Sequence, residues 1–420
     1  MSHSIVLVAL DYLRAKDPRR TLGHASLLAR LHMVPGLDVR AVEFAVNDPS
    51  FRREELLSAI LRGIVDGRTI VAIGVYVWNE SVVQWLLPAL RRSGFSGQIV
   101  LGGPQISYAP IGIDAVYSTA DVFVRGYGED ALAKIVLGDE DIPGVTRRGH
   151  DDSASPTVLD LATLASPYLS GVLAALPFVR WETQRGCDFA CSFCQHRESG
   201  ARLRRRKLSD ERIDAEIDFF VEHGVHDIAV LDPLFNRDRA HAVRVLRRFA
   251  ERSYAGRLSL QCRFEHIDDE FLDACERLDV RLEFGLQTIH RAEMKAVDRT
   301  NSIPKAEQVI RELNRRRIHF EVSLIYGLPE QTLASFRESM DWCRNHSVPT
   351  VRAFPLMLLR GTPIHRDRVR WGLIENTDDI PLVIESSTFT RSDWEAMRVV
   401  AQAVLHDEWD VMHTLAAEVH

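Results

Sequence analysis

Two series of short apolar runs, each run followed by a stretch with helical period, limit what this chain can fold into. The first series comprises SIVLVAL (4–10), DVRAVEF (38–44), TIVAIGVYV (69–77), QIVLGG (98–103) and DVFVRG (121–126). Between them lie amphipathic patterns such as LGHASLLARLH from Leu22 and REELLSAILRGIV, which places Leu56, Leu57, Ile60, Leu61 and Ile64 on one face. Near-continuous apolar strands alternating with helices predict an α/β domain. Its parallel sheet would be covered on both faces, doubly wound and Rossmann- or flavodoxin-like, over residues 1–140. Several strands end in glycine or polar residues: Trp78-Asn79-Glu80, Gly102-Gly103-Pro104 and Gly126-Tyr127-Gly128-Glu129. Those ends fall at the carboxyl edge of the sheet, where open α/β folds bind ligands.

The second series runs FVRWETQ (178–184), HDIAVLD (226–232), RLSLQCRF (257–264), VRLEFGL (280–286), HFEVSLIYG (319–327) and TVRAFPLML (350–358). Six βα units exceed a nucleotide-binding half and fall short of an eight-stranded barrel. They predict a partial, TIM-like (βα)6 barrel over 178–365. Residues 141–177, where Asp, Gly, Ser and Pro accumulate, read as a linker that packs on its neighbours. Residues 366–420 read as a short helical C-terminal extension.

The 420 residues carry 52 basic and 59 acidic side chains, a formal charge of −7. A mildly acidic total argues against a chain whose main task is coating nucleic acid. No run approaches the roughly eighteen apolar residues that span a bilayer, and the N-terminus reads as a first strand rather than a signal peptide. A soluble, cytoplasmic protein is expected.

Half of the six cysteines fall in Gly186-Cys187-Asp188-Phe189-Ala190-Cys191-Ser192-Phe193-Cys194. The C-x3-C-x2-C spacing sits in the loop after the first barrel strand, where a chain can curl three thiolates around one centre. Soft thiolates select zinc or iron–sulfur. A structural zinc site normally closes with four ligands, and His196 could complete a Cys3His set. A [4Fe–4S] cluster on three cysteines leaves one iron free for a substrate's amino and carboxylate groups. Cys262, Cys275 and Cys343 are scattered and read as packing residues.

The spacing, with an aromatic residue (Phe193) before the third cysteine, resembles the cluster loop of the radical S-adenosylmethionine (SAM) superfamily. That resemblance implies a [4Fe–4S] cluster on Cys187, Cys191 and Cys194 whose electron cleaves SAM to methionine and a 5′-deoxyadenosyl radical. It also implies SAM contacts from Gly285, Gln287 and Arg299 around the fourth strand, and from Gly327 at the end of the fifth. Asp232 and Asn236, after the second strand, stand where the family usually contacts the SAM amino group, although its GGE triplet is absent. Arg202, Arg204, Arg205, Arg206 and Lys207 form a basic run, read as a solvated face or as a rim attracting anions.

The first domain is similar to the cobalamin-binding domain of one branch of that superfamily, through Leu22–Gly23, Trp78–Ser81, Gly102-Gly103-Pro104 and Gly126–Glu129. The resemblance implies a corrin across the carboxyl edge, its nucleotide tail accommodated near Gly102 and Gly103. The D-x-H-x-x-G sequence that supplies histidine to cobalt is absent, and His24 is the nearest candidate. The expected activity is methylation of an unactivated centre in a small metabolite or natural-product intermediate. The expected partners are a small-molecule substrate and a reductant such as flavodoxin or ferredoxin. Ring contraction, cyclisation or other carbon-skeleton redox chemistry without methyl transfer is the alternative. A non-catalytic metal-binding or electron-transfer protein is a more distant one.

Overall fold

The computed structural model describes residues 4–64, 67–196 and 205–403. The chain divides into two compact units, Met1–Ala174 and Ala175–His420.

In the first unit the apolar runs form β1 (Ser4–Asp11), β2 (Asp38–Ala45), β3 (Ile70–Gly74), β4 (Ile99–Gly102) and β5 (Val122–Val124). With β6 (Val145–Arg147) they make one sheet in the order β2-β1-β3-β4-β5-β6. The first five strands are parallel. Alternate side chains of β1 enter two different cores. Val6, Val8 and Leu10 pack with Leu56, Ile60 and Leu86 on one face, and Ile5 and Leu7 pack with Leu28, Leu132 and Ile135 on the other. Both faces are therefore buried, which is why these strands read as unbroken apolar runs.

β6 pairs antiparallel with β5 and lies in the segment read as a linker. At three residues it is too short to show a period. That segment is held to the sheet by Arg125, which is 1% exposed. Arg125 Nε and Nη2 donate to the two Asp152 oxygens at 3.0 and 2.5 Å, while Nη1 donates to the Ile106 and Ala109 carbonyls.

The second unit begins with β7 (Phe178–Trp181). A short antiparallel pair follows, β8 (Gln184–Arg185) and β9 (Arg206–Lys207). Then come β10 (Asp227–Val230), β11 (Arg257–Cys262), β12 (Asp279–Gln287), β13 (His319–Tyr326) and β14 (Thr350–Pro355). The main sheet runs in the order β14-β13-β12-β11-β10-β7, and every pair is parallel. A helix fills each crossover. Typical is Asp210–Glu222, whose first turn is capped by the Ser209 hydroxyl accepting from the Arg212 N–H.

Here the two faces differ. Val280, Leu282, Phe284 and Leu286 of β12 are buried, whereas Arg281, Glu283 and Gly285 between them remain partly accessible. The buried face packs through aromatic contacts, among them Trp181 edge-on to Phe220 and Phe264 stacked on Phe284 at 4.1 Å. The accessible face is the concave side of the partial barrel.

The C-terminal extension is not purely helical. It opens with the antiparallel pair β15 (Ile374–Glu375) and β16 (Val383–Glu385), followed by the helix Arg391–Ala403. Val383 N–H donates to the Leu356 carbonyl, which docks this hairpin on the chain leaving β14. Residues beyond 403 lie outside the described set, as do Arg202 and Arg204 of the basic run. Among the described residues no helix is long and apolar enough to cross a membrane.

Candidate functional site

The cysteine loop leaves β7 at the carboxyl end of the second sheet. Its root is bound to Asp232, which follows β10 and is fully buried. Asp232 accepts from the Thr183 N–H at 2.7 Å, the Thr183 hydroxyl at 2.5 Å and the Gln184 N–H at 3.1 Å. Because its hydroxyl donates to Asp232, Thr183 accepts from His241 Nε2 at 2.8 Å. Burial pushes the Asp232 carboxyl up to about 7 despite those donors, and burial draws His241 down to about 4. Asn236 bridges to the backbone of Arg263, giving one hydrogen bond and receiving one. The two polar residues expected beside the SAM amino group are thus occupied in holding strand ends and the loop root.

Beyond the root the loop turns at Gly186, where φ is +86°, a conformation that favours glycine. Three neighbouring loops then grip it. The Arg263 guanidinium lies 4.2 Å over the Phe189 ring. Ser192 donates its N–H to the Val297 carbonyl at 2.9 Å and accepts from the Ile364 N–H at 3.1 Å. Gln195 reaches the Arg360 carbonyl at 2.9 Å. Arg299 Nη1 lies 3.6 Å from Cys191 Sγ.

The thiols themselves are crowded. Burial raises Cys187, and burial with the neighbouring Cys191 and Cys187 sulfurs raises Cys194 to about 11. Three sulfurs crowded in one loop and flanked by Arg263 and Arg299 suit metal ions that displace thiol protons. His196, the candidate fourth zinc ligand, has an exposed side chain and brings only its backbone N–H, 3.4 Å from Cys194 Sγ. Among the described residues no three His, Cys, Asp or Glu side chains converge on a single metal ion. The residues present fit a three-cysteine iron–sulfur cluster, the larger of the two centres.

Beside the loop, β12 ends in an irregularity between Gly285 and Gln287, and Gln287 has a φ of +65°. The bulge folds Gln287 back over Gly285. A Cβ on Gly285 would lie 2.6 Å from Gln287 Nε2 and 3.3 Å from Arg299 Nη2. Gly285, Gln287, Arg299 and Cys191 therefore form one cluster of contacts. Phe193 is half-buried within the loop. Gly327 stands apart from these contacts. Its φ is +89°, its N–H donates to Gln331 Oε1, and the Val383 carbonyl and Trp394 occupy the side a Cβ would take.

The concave face below carries charge rather than apolar surface. Glu321 of β13 binds both Arg281 of β12 and Arg352 of β14, the latter at 3.0 Å, and Gln261 donates to Glu283 at 3.0 Å.

In the first unit, the order β2-β1-β3 puts a topological switch at β1 and β3, where a crevice opens in such sheets. Asn79 closes it, accepting from the Tyr76 N–H and donating to the Leu10 and Gly74 carbonyls. Tyr76 and Trp78 stack there at 4.6 Å. Gly103 is required by the chain itself. It has a φ of +92°, and a Cβ would lie 2.7 Å from the Val75 carbonyl oxygen. At Gly102 a Cβ would make only ordinary contact with Val124. His24 is buried, 3.3 Å from Glu43 of β2, and Glu129 accepts from Ser26.

Residues 181–343, which span the cysteine loop, β12 and Arg299, match the Radical SAM superfamily. The chain carries a radical SAM domain over those residues. It is 28% identical over 353 residues to the cobalamin-dependent radical SAM methyltransferase TokK of Streptomyces tokunonensis, covering 75% of this chain and 51% of that one. It is 28% identical over 385 residues to a 2-(S-pantetheinyl)-carbapenam-3-carboxylate methyltransferase of Streptantibioticus cattleyicolor, covering 83% and 55%. The chain thus spans about half the length of these curated relatives. Among solved structures it resembles the radical SAM methyltransferase TsrM from Kitasatospora setae with cobalamin and a [4Fe–4S] cluster bound. The TM-score is 0.70 at 18% identity, over 94% of this chain and 82% of that one. That likeness shows a shared fold across both units.

The placement of Cys187, Cys191 and Cys194 in one loop after the first strand of the second sheet was legible from their spacing. The residues that grip their loop were not. Arg263, Val297 and Ile364 lie far from it in sequence, and only parallel packing of strand ends brings them to it. Asp232 offered a partial signal, an acidic residue closing an apolar strand.

Proposed function

We propose that this chain is a cobalamin-dependent radical SAM methyltransferase acting on a small natural-product intermediate. The observation that carries the reading is the C-x3-C-x2-C loop gripped at the carboxyl mouth of six parallel strands, above an open face lined with charge. When bound, the [4Fe–4S] cluster and SAM supply one-electron cleavage for hydrogen abstraction, and cobalamin carries the methyl group. Cys187, Cys191 and Cys194 would hold the cluster. Gly285, Gln287 and Arg299 border the space beside it, and Phe193 lies within its loop. Gly327 would approach SAM by its backbone from the end of β13. The carboxyl edge of the first sheet, with Gly102, Gly103 and the Tyr76–Trp78 stack, would take the corrin without a histidine ligand from His24. The relatives named for cobalamin-dependent methyl transfer support this division. It assigns residues 1–140 to the corrin, 141–177 to the connection, 178–365 to the radical chemistry and 366–420 to an extension.

The concave face restricts what could enter. The paired Arg281, Glu321 and Arg352 side chains, with Glu283 beside them, make the face polar, so a polar substrate suits it better than a purely apolar one. The centre needs a one-electron donor such as flavodoxin or ferredoxin and a reducing compartment. Six free thiols are consistent with the cytoplasm.

The test is anaerobic reconstitution with iron, sulfide and hydroxocobalamin, followed by SAM, a reductant and candidate small molecules. Methylated product with S-adenosylhomocysteine and 5′-deoxyadenosine is expected. 5′-Deoxyadenosine alone would move the activity to radical chemistry without methyl transfer. A protein that binds zinc tightly and cleaves no SAM would remove the enzyme reading altogether.

A further inference from the structure

Arg299 meets the cysteine loop from its protein side. Its Nη1 lies 3.6 Å from Cys191 Sγ, its Nη2 donates to the Gly285 carbonyl, and its Nε is buried without a hydrogen-bond partner. The same short segment addresses three residues of the loop. Val297 accepts from Ser192 next to Cys191. The Thr300 carbonyl accepts from Arg263 Nη2 at 2.8 Å, and Arg263 in turn covers Phe189. Asp298, just before Arg299, takes a φ of +50°, an uncommon backbone for a non-glycine residue. That turn sends the Arg299 side chain back toward Cys191.

A guanidinium has five donors in a rigid plane, so those aimed at Cys191 and Gly285 set where the rest point. Two faces of the fork are already committed within the protein.

We propose that Arg299 is a positioning residue for the cluster, donating a charge-assisted hydrogen bond to the Cys191 sulfur and so raising the cluster's reduction potential. Reduction adds one negative charge to the centre. A fixed cation and an N–H···S bond at one ligand stabilise that added charge more than they stabilise the oxidised state. This role differs from the SAM carboxylate clamp implied by the resemblance, and it rests on the cluster reading of Cys187, Cys191 and Cys194.

The experiment is a potentiometric titration of the reconstituted full-length chain, followed by electron paramagnetic resonance and done without SAM. Native protein is compared with Arg299→Gln and Arg299→Lys, with iron and sulfide counted for each. In Arg299→Gln the reduced-to-oxidised ratio at the native midpoint should fall about tenfold, ~59 mV for one electron. Arg299→Lys keeps the charge but loses the planar fork, and should give an intermediate shift. A fully loaded Arg299→Gln or Arg299→Lys at the native midpoint overturns the proposal, and weakened SAM binding alone in those variants returns Arg299 to the carboxylate. If Arg299→Gln does not load, Arg299→Lys carries the comparison by itself. Native protein that binds no iron overturns the cluster reading and this proposal with it, whereas native loading with unmoved midpoints overturns this proposal only.

Discussion

The two large sheets of this chain use the same βα unit and bury it differently. In the first, β1 sends alternate side chains into separate apolar cores, so neither face is open and a ligand can only lie along the carboxyl edge. In the second, β12 buries Val280, Leu282, Phe284 and Leu286 and turns Arg281, Glu283 and Gly285 to an open concave face. That sheet offers a mouth and an interior. Two arginines mark the contrast. Arg125 in the first unit is fully buried, with all its visible donors on Asp152 and carbonyl oxygens. Arg299 in the second is half-buried, keeps an unpartnered Nε and touches a cysteine. A saturated arginine holds a fold together, and one with spare donors at a sulfur can act on a cofactor.

The largest test of this contrast is loss of the cluster. Replacing Cys187, Cys191 or Cys194 by Ala should abolish iron loading and SAM cleavage, while circular dichroism still reports the folded α/β chain. Cys343→Ala, at a buried thiol in the helix Leu333–Asn345, should load iron as the native chain does. Loss of fold in the motif variants would erase the distinction between scaffold and site.

Arg125→Leu should do the opposite. It strands Asp152 without its partner and should cost about 3–5 kcal/mol of first-unit stability, read by denaturant unfolding. Iron loading by the second unit should survive. The Arg299 variants stand between these cases, with a moved potential and an intact fold. Gly103→Ala comes next, because it places a Cβ against the Val75 carbonyl at positive φ. A cost of about 1–3 kcal/mol is expected, again in the first unit. An unchanged melting temperature would mean that Gly103 is needed for a ligand rather than for the turn.

The smallest effect is one of pH. Folded Asp232, raised to about 7, keeps its proton where the unfolded chain has lost it. It therefore lowers stability as pH rises from about 4 to about 7. Folded His241, lowered to about 4, stays neutral where the unfolded chain is protonated, so it raises stability from about pH 4 to the ordinary histidine range. In the native chain the two oppose each other. Asp232→Asn leaves only His241, and stability should then climb by up to about 1 kcal/mol per pH unit across that window. A variant profile as flat as the native one would show that His241 is not held neutral, and a native profile that already climbs as steeply would show that Asp232 is ionised throughout.

Much of this architecture was legible in the chain. Eight of the eleven parallel strands lie within the apolar runs read from sequence; β1 and β2 each end one residue later, and β12 begins one residue earlier and ends one later. The agreement arises because parallel strands buried on a face must be apolar over several residues. β6, β8, β9 and the β15–β16 hairpin were not legible, since two or three residues show no period and owe their pairing to neighbours. Among the site residues, the cysteines were visible because one short loop supplies all three. Gly285, Gln287 and Arg299, read as SAM contacts, lie together around Cys191 and the bulge in β12. A Cβ at Gly103 would meet Val75, and one at Gly327 would meet Val383 and Trp394; a glycine in a sequence does not say which neighbour needs the space.

The chain by itself determined that it would build two parallel α/β sheets and carry three closely spaced thiols. Both are local properties, set by hydrophobic period and by the reach of one loop. Only the tertiary structure decided what holds those thiols: Asp232 at the loop root, Arg263 on Phe189, Val297 and Ile364 on Ser192, and Arg299 on Cys191. Those contacts join segments separated by up to about two-fifths of the chain. Their energies depend on burial and distance, which exist only once the strands have aligned.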